Sequence, residues 1–350
     1  MLNATVFATH LAFAAAVFAL STVLTGLMAW VVRVMDVPNE RSSHARPVPK
    51  SGGVAIVAAF TLGSLVVYFV ADVARIADRH FWGFLFCAVL LSAVSFVDDV
   101  TQRSFAVKVA TQMVCVAVIL ATGVTLSRLY IPFAGEVALG WAGYGLTFLW
   151  LLGLTNAYNF MDGLDGLAAG VAVIAAGFLG AIALWQDSNF VYLMCYVLLA
   201  SAAGFLAFNL PPAKIFMGDV GSAFIGFTFA ALAVIGANLD AGHLPFYVVP
   251  LLLFHFIFDT FFTFVRRALR GEPVHLAHRT HLYQLLNQCG YGHRAVSMYH
   301  YAVTVVQGIG ALLLIFVELE WRVYVFLPYL GYQAIYAAWV LRRAKALGLV

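Results

Sequence analysis

The sequence predicts an all-α polytopic membrane protein of about eleven transmembrane helices, with a periplasmic N-terminus and a cytoplasmic C-terminus. Composition is the first observation. Of 350 residues, 63% are hydrophobic and 10% charged, with a mean hydropathy of +0.95, whereas a soluble domain is about 45–50% apolar. The second is the recurrence of apolar runs close to the roughly 20 residues that a bilayer core requires. The third is the distribution of basic residues, which gather on one side of the alternating loops.

The first run, residues 6–32, resembles a signal peptide only superficially. It lacks a positive leading region and is long enough to span, and Arg33, Arg41, Arg46 and Lys50 follow it. It reads as a retained first helix with its N-terminus outside. The spans are then 8–32, 52–71, 81–97, 106–126, 141–158, 164–184, 190–208, 221–238, 245–267, 297–317 and 323–341. Alternation puts 33–51, 98–105, 159–163, 209–220, 268–296 and 342–350 in the cytoplasm. Fifteen Lys and Arg residues fall on or beside these segments, against Arg75, Arg79, Arg128 and Arg322 outside. The longest outer connection, 127–140, reads as a small hairpin. Cys87, Cys115, Cys195 and Cys289 show neither metal-ligand spacing nor a disulfide framework. Residues 1–350 therefore form one membrane domain whose chemistry is concentrated on its inner face.

Five polar clusters occupy that face. In 36–53, DVPNERSSHARPVPKSGG, three prolines exclude a regular helix. Arg41, His44, Arg46 and Lys50 form a positive lip suited to a lipid phosphate or a nucleotide diphosphate, or simply a topology determinant. Gly52 and Gly53 would let the following helix approach an anion. Asp98 and Asp99 end the third span, where the helix dipole disfavours negative charge; a metal ion, or Arg103 and Lys108, should compensate. In 156–170, NAYNFMDGLDGLAAG, Asn156, Asn159, Asp162 and Asp165 recur every three residues. On a straight helix they would drift by about 60° per step, so all four share a face only if the helix breaks. Gly166 and Gly170 also fit a small-residue packing face.

In 209–221, NLPPAKIFMGDVG, Asn209 precedes a double proline, and Gly218 and Gly221 flank Asp219. Asp219 reads alone as a helix N-cap, and Phe216 as an interface anchor or a stacking surface for a planar base. The last large loop carries His275, His278, Arg279, His281, His293 and Arg294. Its histidines lack a zinc pattern, whereas Arg279 favours a phosphate. Residues 283–286 read as a short amphipathic helix on the membrane surface, and His255 and Asp259, four apart, as a buried pair. Carboxylates beside a ring of cations at one membrane face suit Mg²⁺, which takes one or two carboxylates and completes its shell with water and substrate phosphates.

These motifs resemble the polyprenyl-phosphate N-acetylhexosamine-1-phosphate transferase superfamily, glycosyltransferase family 4. The matching pieces are Asp98-Asp99, NAYNFMDGLDG, FMGDVGS at 216–222 and the His-rich loop, in family order over residues 36–296. The resemblance implies transfer of a sugar-1-phosphate from a UDP-N-acetylhexosamine to undecaprenyl phosphate, with release of UMP, in the bacterial inner membrane. By that analogy Asp219 and Asn159 hold Mg²⁺, with Mn²⁺ as a substitute. Asp98 takes the lipid phosphate's proton, with Asp99 in support. Asn156, Asp162, Asp165, Asn209, Phe216, His278, Arg279 and His281 lie at the nucleotide and its diphosphate.

The segment HRTHLYQ departs from the histidine runs of other branches, with Tyr283 and Gln284 where those carry histidine. That disfavours a muramoyl-pentapeptide substrate and resembles the branch that initiates O-antigen and related lipopolysaccharide glycans, as does RSSH-x-x-P at 41–47. Membrane lipids are the implied surroundings, a homodimer is compatible with the reading, and nothing suggests nucleic acid. Two other classes remain. An intramembrane prenyltransferase would need two facing Asp-rich motifs, which only Asp162 and Asp165 approach. A secondary transporter would place its ionisable groups at the midplane, where only His255 and Asp259 qualify.

Overall fold

In a bilayer every backbone N–H and C=O must find its partner within the protein, so long apolar runs close into helices. The computed structural model describes residues 4–31, 34–38, 46–101, 105–242, 244–273 and 278–350. Thirteen α-helices occur among them: α1 Ala4–Val31, α2 Gly53–Val70, α3 Asp78–Thr101, α4 Phe105–Ala121, α5 Trp141–Phe160, α6 Leu167–Trp185, α7 Asn189–Asn209, α8 Gly218–Asn238, α9 Val248–Leu252, α10 Phe254–Leu269, α11 Leu282–Gln288, α12 His293–Leu314 and α13 Phe326–Ala346. All eleven expected spans contain helix. Seven of them, α1, α2, α3, α6, α7, α8 and α12, are long and apolar enough to cross a membrane.

Several boundaries differ from the sequence reading. The span expected at 245–267 divides at Leu253 into α9 and α10, three residues after Pro250, which cannot donate to the helical ladder. The third span does not end at Asp98; α3 continues to Thr101, so both aspartates lie in its last turns. Residues 283–286 are helical as expected, within α11, but Leu282, Tyr283, Leu285 and Leu286 are buried. That helix packs against α10, α12 and α13 and does not lie on the surface.

Helix α8 is the axis of the molecule. Every residue from 220 to 236 is buried, and α2, α3 and α5 pack around it. Helix α7 packs on α6 and α1, and α12 on α6 and α9. Leu11, Phe69, Leu149, Phe261, Leu313 and Ile335 remain exposed on the outer helices, an arrangement stable where the solvent is itself apolar. Two small antiparallel ribbons complete the fold. Strands β1 Met35–Asp36 and β2 Val48–Pro49 pair Met35 with Pro49. Strands β3 Arg128–Ile131 and β4 Gly135–Ala138 form the hairpin expected in 127–140.

The start of α2 crosses the start of α8 with backbone touching backbone. Gly52 and Gly53 donate their N–H groups to the carbonyls of Phe216 and Met217, each at 2.9 Å, and Phe216 donates to Pro49 at 2.8 Å. A Cβ on Gly53 would lie 2.3 Å from the Gly221 nitrogen. Gly53 therefore serves this crossing, and not the approach to an anion anticipated from the sequence. The same crossing sets the position of Asp219, the second residue of α8.

Candidate active site

Residues from five elements converge where α3 ends and α8 begins. Consecutive helical residues point about 100° apart, so Asp98 and Asp99 face different neighbours. Asp98 Oδ2 lies 3.3 Å from the Lys108 Nζ of α4. Asp99 Oδ1 lies 3.6 Å from the Lys50 Nζ just after β2, with Ser51 Oγ at 3.5 Å from its other oxygen. Lys108 also pairs with Asp219 Oδ2 and so joins α3 to α8. Asn159, in the last turn of α5, donates to Asp219 Oδ1 and to Ser222 Oγ, both at 2.8 Å. Gly218 begins α8 at φ +70°, where a Cβ would sit 2.6 Å from Asp99 Oδ2; glycine is needed on both counts.

The compensation expected for the adjacent aspartates thus comes from Lys108 and from Lys50, the latter anticipated only as part of the lip. Arg103, Arg41 and His44 lie outside the described residues, and Arg46 is exposed. Asp219 is not an N-cap: Met217 holds that position and the Asp219 carboxylate is turned to Lys108 and Asn159. Lys108 left a modest sequence signal, since Lys108 and Gln112 sit four apart in an otherwise apolar helix. Gln112 was missed altogether.

The stretch 156–170 is interrupted between two helices, yet its four polar residues do not converge on one face. Helix α5 ends at Phe160 and α6 starts at Leu167, which leaves Asp162 and Asp165 in the connecting loop. Asn156 does not join the cluster: it exchanges bonds with Gln112 at 2.8 and 3.2 Å and donates to the Leu152 carbonyl. Asp162 keeps part of its surface accessible, but its carboxyl is surrounded by protein and makes no side-chain hydrogen bond or ion pair among the described residues. Burial, then the nearby carboxylates of Asp219, Asp99 and Asp165, push its carboxyl up to about 8.

Asp165 is a brace. It accepts the Ala213 N–H at 3.0 Å, lies 3.1 Å from His293 Nδ1 of α12, and its carbonyl accepts from Ser297. Asn209 braces the same loops, accepting from the Gly166 N–H at 3.0 Å and donating to the Ile215 carbonyl at 2.9 Å. The glycines make room for tyrosines: a Cβ would meet the Tyr283 hydroxyl at 2.2 Å from Gly163 and the Tyr301 ring at 2.1 Å from Gly170. Phe216 is partly buried, and its backbone is tied to Pro49 and Gly52.

The His-rich loop reaches this wall through α5. The Tyr283 hydroxyl donates to the Phe160 carbonyl at 2.9 Å, and the His281 ring lies 6.0 Å from the Phe160 ring. His278 stacks on His281 with centroids 4.8 Å apart. Burial, then His281 and the Arg267 and Arg266 charges, lower its pKa to about 4. Arg279 is partly exposed, and its carbonyl accepts from Gln288. The expected His255–Asp259 pair does not form. His255 bonds Gln307 at 2.7 Å, while Asp259 receives the N–H groups of Leu282 and Tyr283 at 2.9 and 3.0 Å, with His281 at 3.2 Å. Asp259 thereby caps the start of α11 from another helix.

The chain matches the model of glycosyl transferase family 4 over residues 81–237, which include every member of the carboxylate–lysine cluster except Lys50. Over 286 residues it is 32% identical to a Bacillus subtilis (strain 168) protein named as a probable undecaprenyl-phosphate N-acetylglucosaminyl 1-phosphate transferase, covering 81% of this chain and 78% of that one. The chain belongs to the polyprenyl-phosphate hexosamine-1-phosphate transferase family. Two further relatives are consistent with this. The decaprenyl-phosphate N-acetylglucosaminephosphotransferase of Mycobacterium leprae is 30% identical over 324 residues, 85% of this chain and 80% of that one. The phospho-N-acetylmuramoyl-pentapeptide-transferase of Listeria monocytogenes is 34% identical over 200 residues, only 53% and 60% of the two chains. The protein is a multi-pass membrane transferase of this family.

The donor set of this transferase fits Mg²⁺. Among the described residues no three His, Cys, Asp or Glu side chains form a metal-holding group, but Mg²⁺ needs only one or two carboxylates besides water and phosphate oxygens. Asp98, Asp99, Asp162 and Asp219 oppose Lys50 and Lys108, a net charge of −2 when all are ionised; the neighbouring carboxylates add to burial, the larger cause, in raising the Asp162 pKa.

Proposed function

We propose that the protein transfers N-acetylhexosamine-1-phosphate from a UDP-sugar to undecaprenyl phosphate at the cytoplasmic face of a bacterial inner membrane. The products are undecaprenyl-diphosphate-sugar and UMP. All eleven helical segments span, with the N-terminus outside, which puts the carboxylate–lysine cluster at the inner boundary. The observation that carries this reading is Lys108 joining Asp98 to Asp219 beside Asn159. A base and a cation site are thereby adjacent at the end of a membrane helix, where a lipid phosphate and a soluble nucleotide meet.

In this mechanism Asp219, with Asn159, would hold Mg²⁺, which when bound supplies charge neutralisation on the diphosphate. Asp98 accepts the proton of the lipid phosphate, and Lys108 stabilises the carboxylate until it does so. An oxygen of the lipid phosphate bonds to the β-phosphorus of the UDP-sugar. The bond from that phosphorus to the bridging oxygen breaks, and the electron pair leaves on UMP. One phosphoanhydride replaces another, so the reaction runs close to equilibrium. Asp99, held by Lys50 and Ser51 beneath Gly218, positions the last turn of α3. Asp162, Phe216, His278, Arg279 and His281 line the nucleotide side, while Asn156, Asp165 and Asn209 hold that wall together. Lys50 and the exposed Arg46 would receive the lipid phosphate; Arg41 and His44, grouped with them from the sequence, lie outside the described residues.

An N-acetylglucosamine-type donor is favoured over muramoyl-pentapeptide, and the reaction initiates O-antigen or a related surface glycan. Supporting this, Tyr283 is buried beneath Gly163, and Gln284 bonds the His281 N–H at 3.3 Å. The two positions where other branches carry histidine are structural in this chain. The test is UMP release from detergent-purified protein supplied with undecaprenyl phosphate, Mg²⁺ and a panel of UDP-N-acetylhexosamines. Release with at least one donor, abolished in Asp219→Ala, is expected. No release with any donor would overturn the reading.

A further inference from the structure

The opposite end of the molecule holds a cavity that this reaction does not use. Where α8 ends, the β3–β4 hairpin, the segment leading into α9 and the short helix Leu319–Val325 line an open cleft of about 460 Å³. It is about 28 Å from Asp219, nineteen residues along α8 at 1.5 Å each. Two of the four outer arginines of the sequence, Arg128 and Arg322, line it.

Their geometry is that of an anion site. Arg322 is anchored through Nε to the Val317 carbonyl at 3.0 Å, which orients its fork. Its terminal amino groups have no partner among the described residues. Arg128 lies across the cavity on the hairpin, with Nη1 a loose 3.8 Å from Glu136. Two guanidinium groups against one carboxylate leave the lining at +1. Glu318 and Glu320 precede Arg322 in sequence but do not line the cavity. Ser127 and Asn238 bond each other on its wall, and Phe246 contributes an apolar surface.

The depth of the cavity indicates the kind of ligand. Trp82, Trp141, Trp185 and Trp321 are exposed at this same end of the helices, and Phe133 at the hairpin tip is fully exposed. Aromatic residues of this type gather at the headgroup level of a bilayer. A cationic cleft with an apolar wall at that depth suits a phosphate attached to a hydrocarbon tail, because guanidinium forks bind phosphate oxygens in pairs.

We propose that this cavity binds the phosphate group of an anionic amphiphile, held between Arg128 and Arg322 with its tail against the exposed apolar helices. Placement in the outer leaflet rests on the orientation proposed above, whereas the anion chemistry does not. The phosphate can come from a phospholipid headgroup or from a prenyl diphosphate.

The experiment titrates full-length protein in maltoside detergent with dihexanoylphosphatidylglycerol, farnesyl diphosphate and, as a zwitterionic control, dihexanoylphosphatidylcholine. Wild type, Arg322→Gln, the Arg128→Gln/Arg322→Gln double variant and Glu136→Gln are compared by calorimetry. Saturable binding that weakens about tenfold per guanidinium removed is expected, with the zwitterion binding more weakly. Glu136→Gln raises the lining to +2 and should tighten binding, which keeps the proposal testable if the double variant does not fold. An arginine-dependent component with phosphatidylglycerol assigns a phospholipid; one with farnesyl diphosphate alone assigns a prenyl diphosphate. If neither ligand shows a component that responds to the arginine or Glu136 changes, the proposal is overturned. UMP release measured in the same preparations stays at the wild-type level in either case and reports separately on the proposed reaction.

Discussion

Gly53→Ala tests whether the crossing of α2 over α8 sets the position of Asp219. The added Cβ would lie 2.3 Å from the Gly221 nitrogen and 2.4 Å from its Cα, where ordinary contact begins at 3.4 Å. Both obstacles are backbone, so no side chain can swing aside and the two helix starts must separate by about 1 Å. The shift strains two bonds of 2.9 Å, from Gly52 to Phe216 and from Gly53 to Met217. Overpacking costs about 1–3 kcal/mol and each weakened hydrogen bond about 1 kcal/mol. Asp219 lies two residues from Gly221, and a misplacement of about 1 Å in a catalytic group lowers turnover by about 100-fold. UMP release and the thermal midpoint are measured together, with Gly153→Ala on α5 as the control because a Cβ there meets nothing within 4 Å. Gly53→Ala should lose turnover and stability, while Gly153→Ala keeps both. Wild-type turnover in a stable Gly53→Ala protein would refute the argument.

Other changes probe separate parts of the site. Asp98→Asn should suppress turnover while nucleotide binding is retained; if UMP release persists near the wild-type rate, Asp98 is not the base. Asp259→Ala removes the acceptor of two backbone N–H groups and of His281. At about 1–3 kcal/mol for each orphaned donor, the thermal midpoint should fall clearly even without substrate, and an unchanged midpoint would contradict the capping role. Asp162 gives a pH test. Its carboxyl rises from 3.8 to about 8 in the folded protein, so between those values the folded state holds a proton that the unfolded chain has lost. Stability should therefore fall as pH rises through this window. Asp162→Asn should flatten that slope, and parallel melting curves for the two proteins would show that the group is not so perturbed.

Much of the fold was legible because apolar run length is a local property. Each of the eleven expected spans contains helix, and the 127–140 hairpin formed where turn residues separate two short extended runs. The break within 156–170 was also legible, because the expected spans 141–158 and 164–184 leave a loop between them. Partner choice was not. Asp165 and Asn209 looked like ligand-facing groups, yet their oxygens accept from Ala213 and Gly166. Asp259 bonds the start of α11, and His255 turns to Gln307. These bonds join residues tens of positions apart, and no periodicity in one segment encodes the position of another.

The sequence by itself determined a helical membrane protein, with its acidic motifs at one end of the spans and in the order characteristic of one transferase family. Those properties follow from hydrophobic length, charge asymmetry and motif order along a single chain. Only the tertiary structure decided that Lys108 stands between Asp98 and Asp219, that Lys50 serves Asp99, and that Gly53 and Gly221 let two helix starts touch. The reason is geometric. Once α2, α3 and α5 close around α8, with α4 packed on α3 and α5, the packing angles fix which side chains meet, and the net charge of the site arises from that meeting.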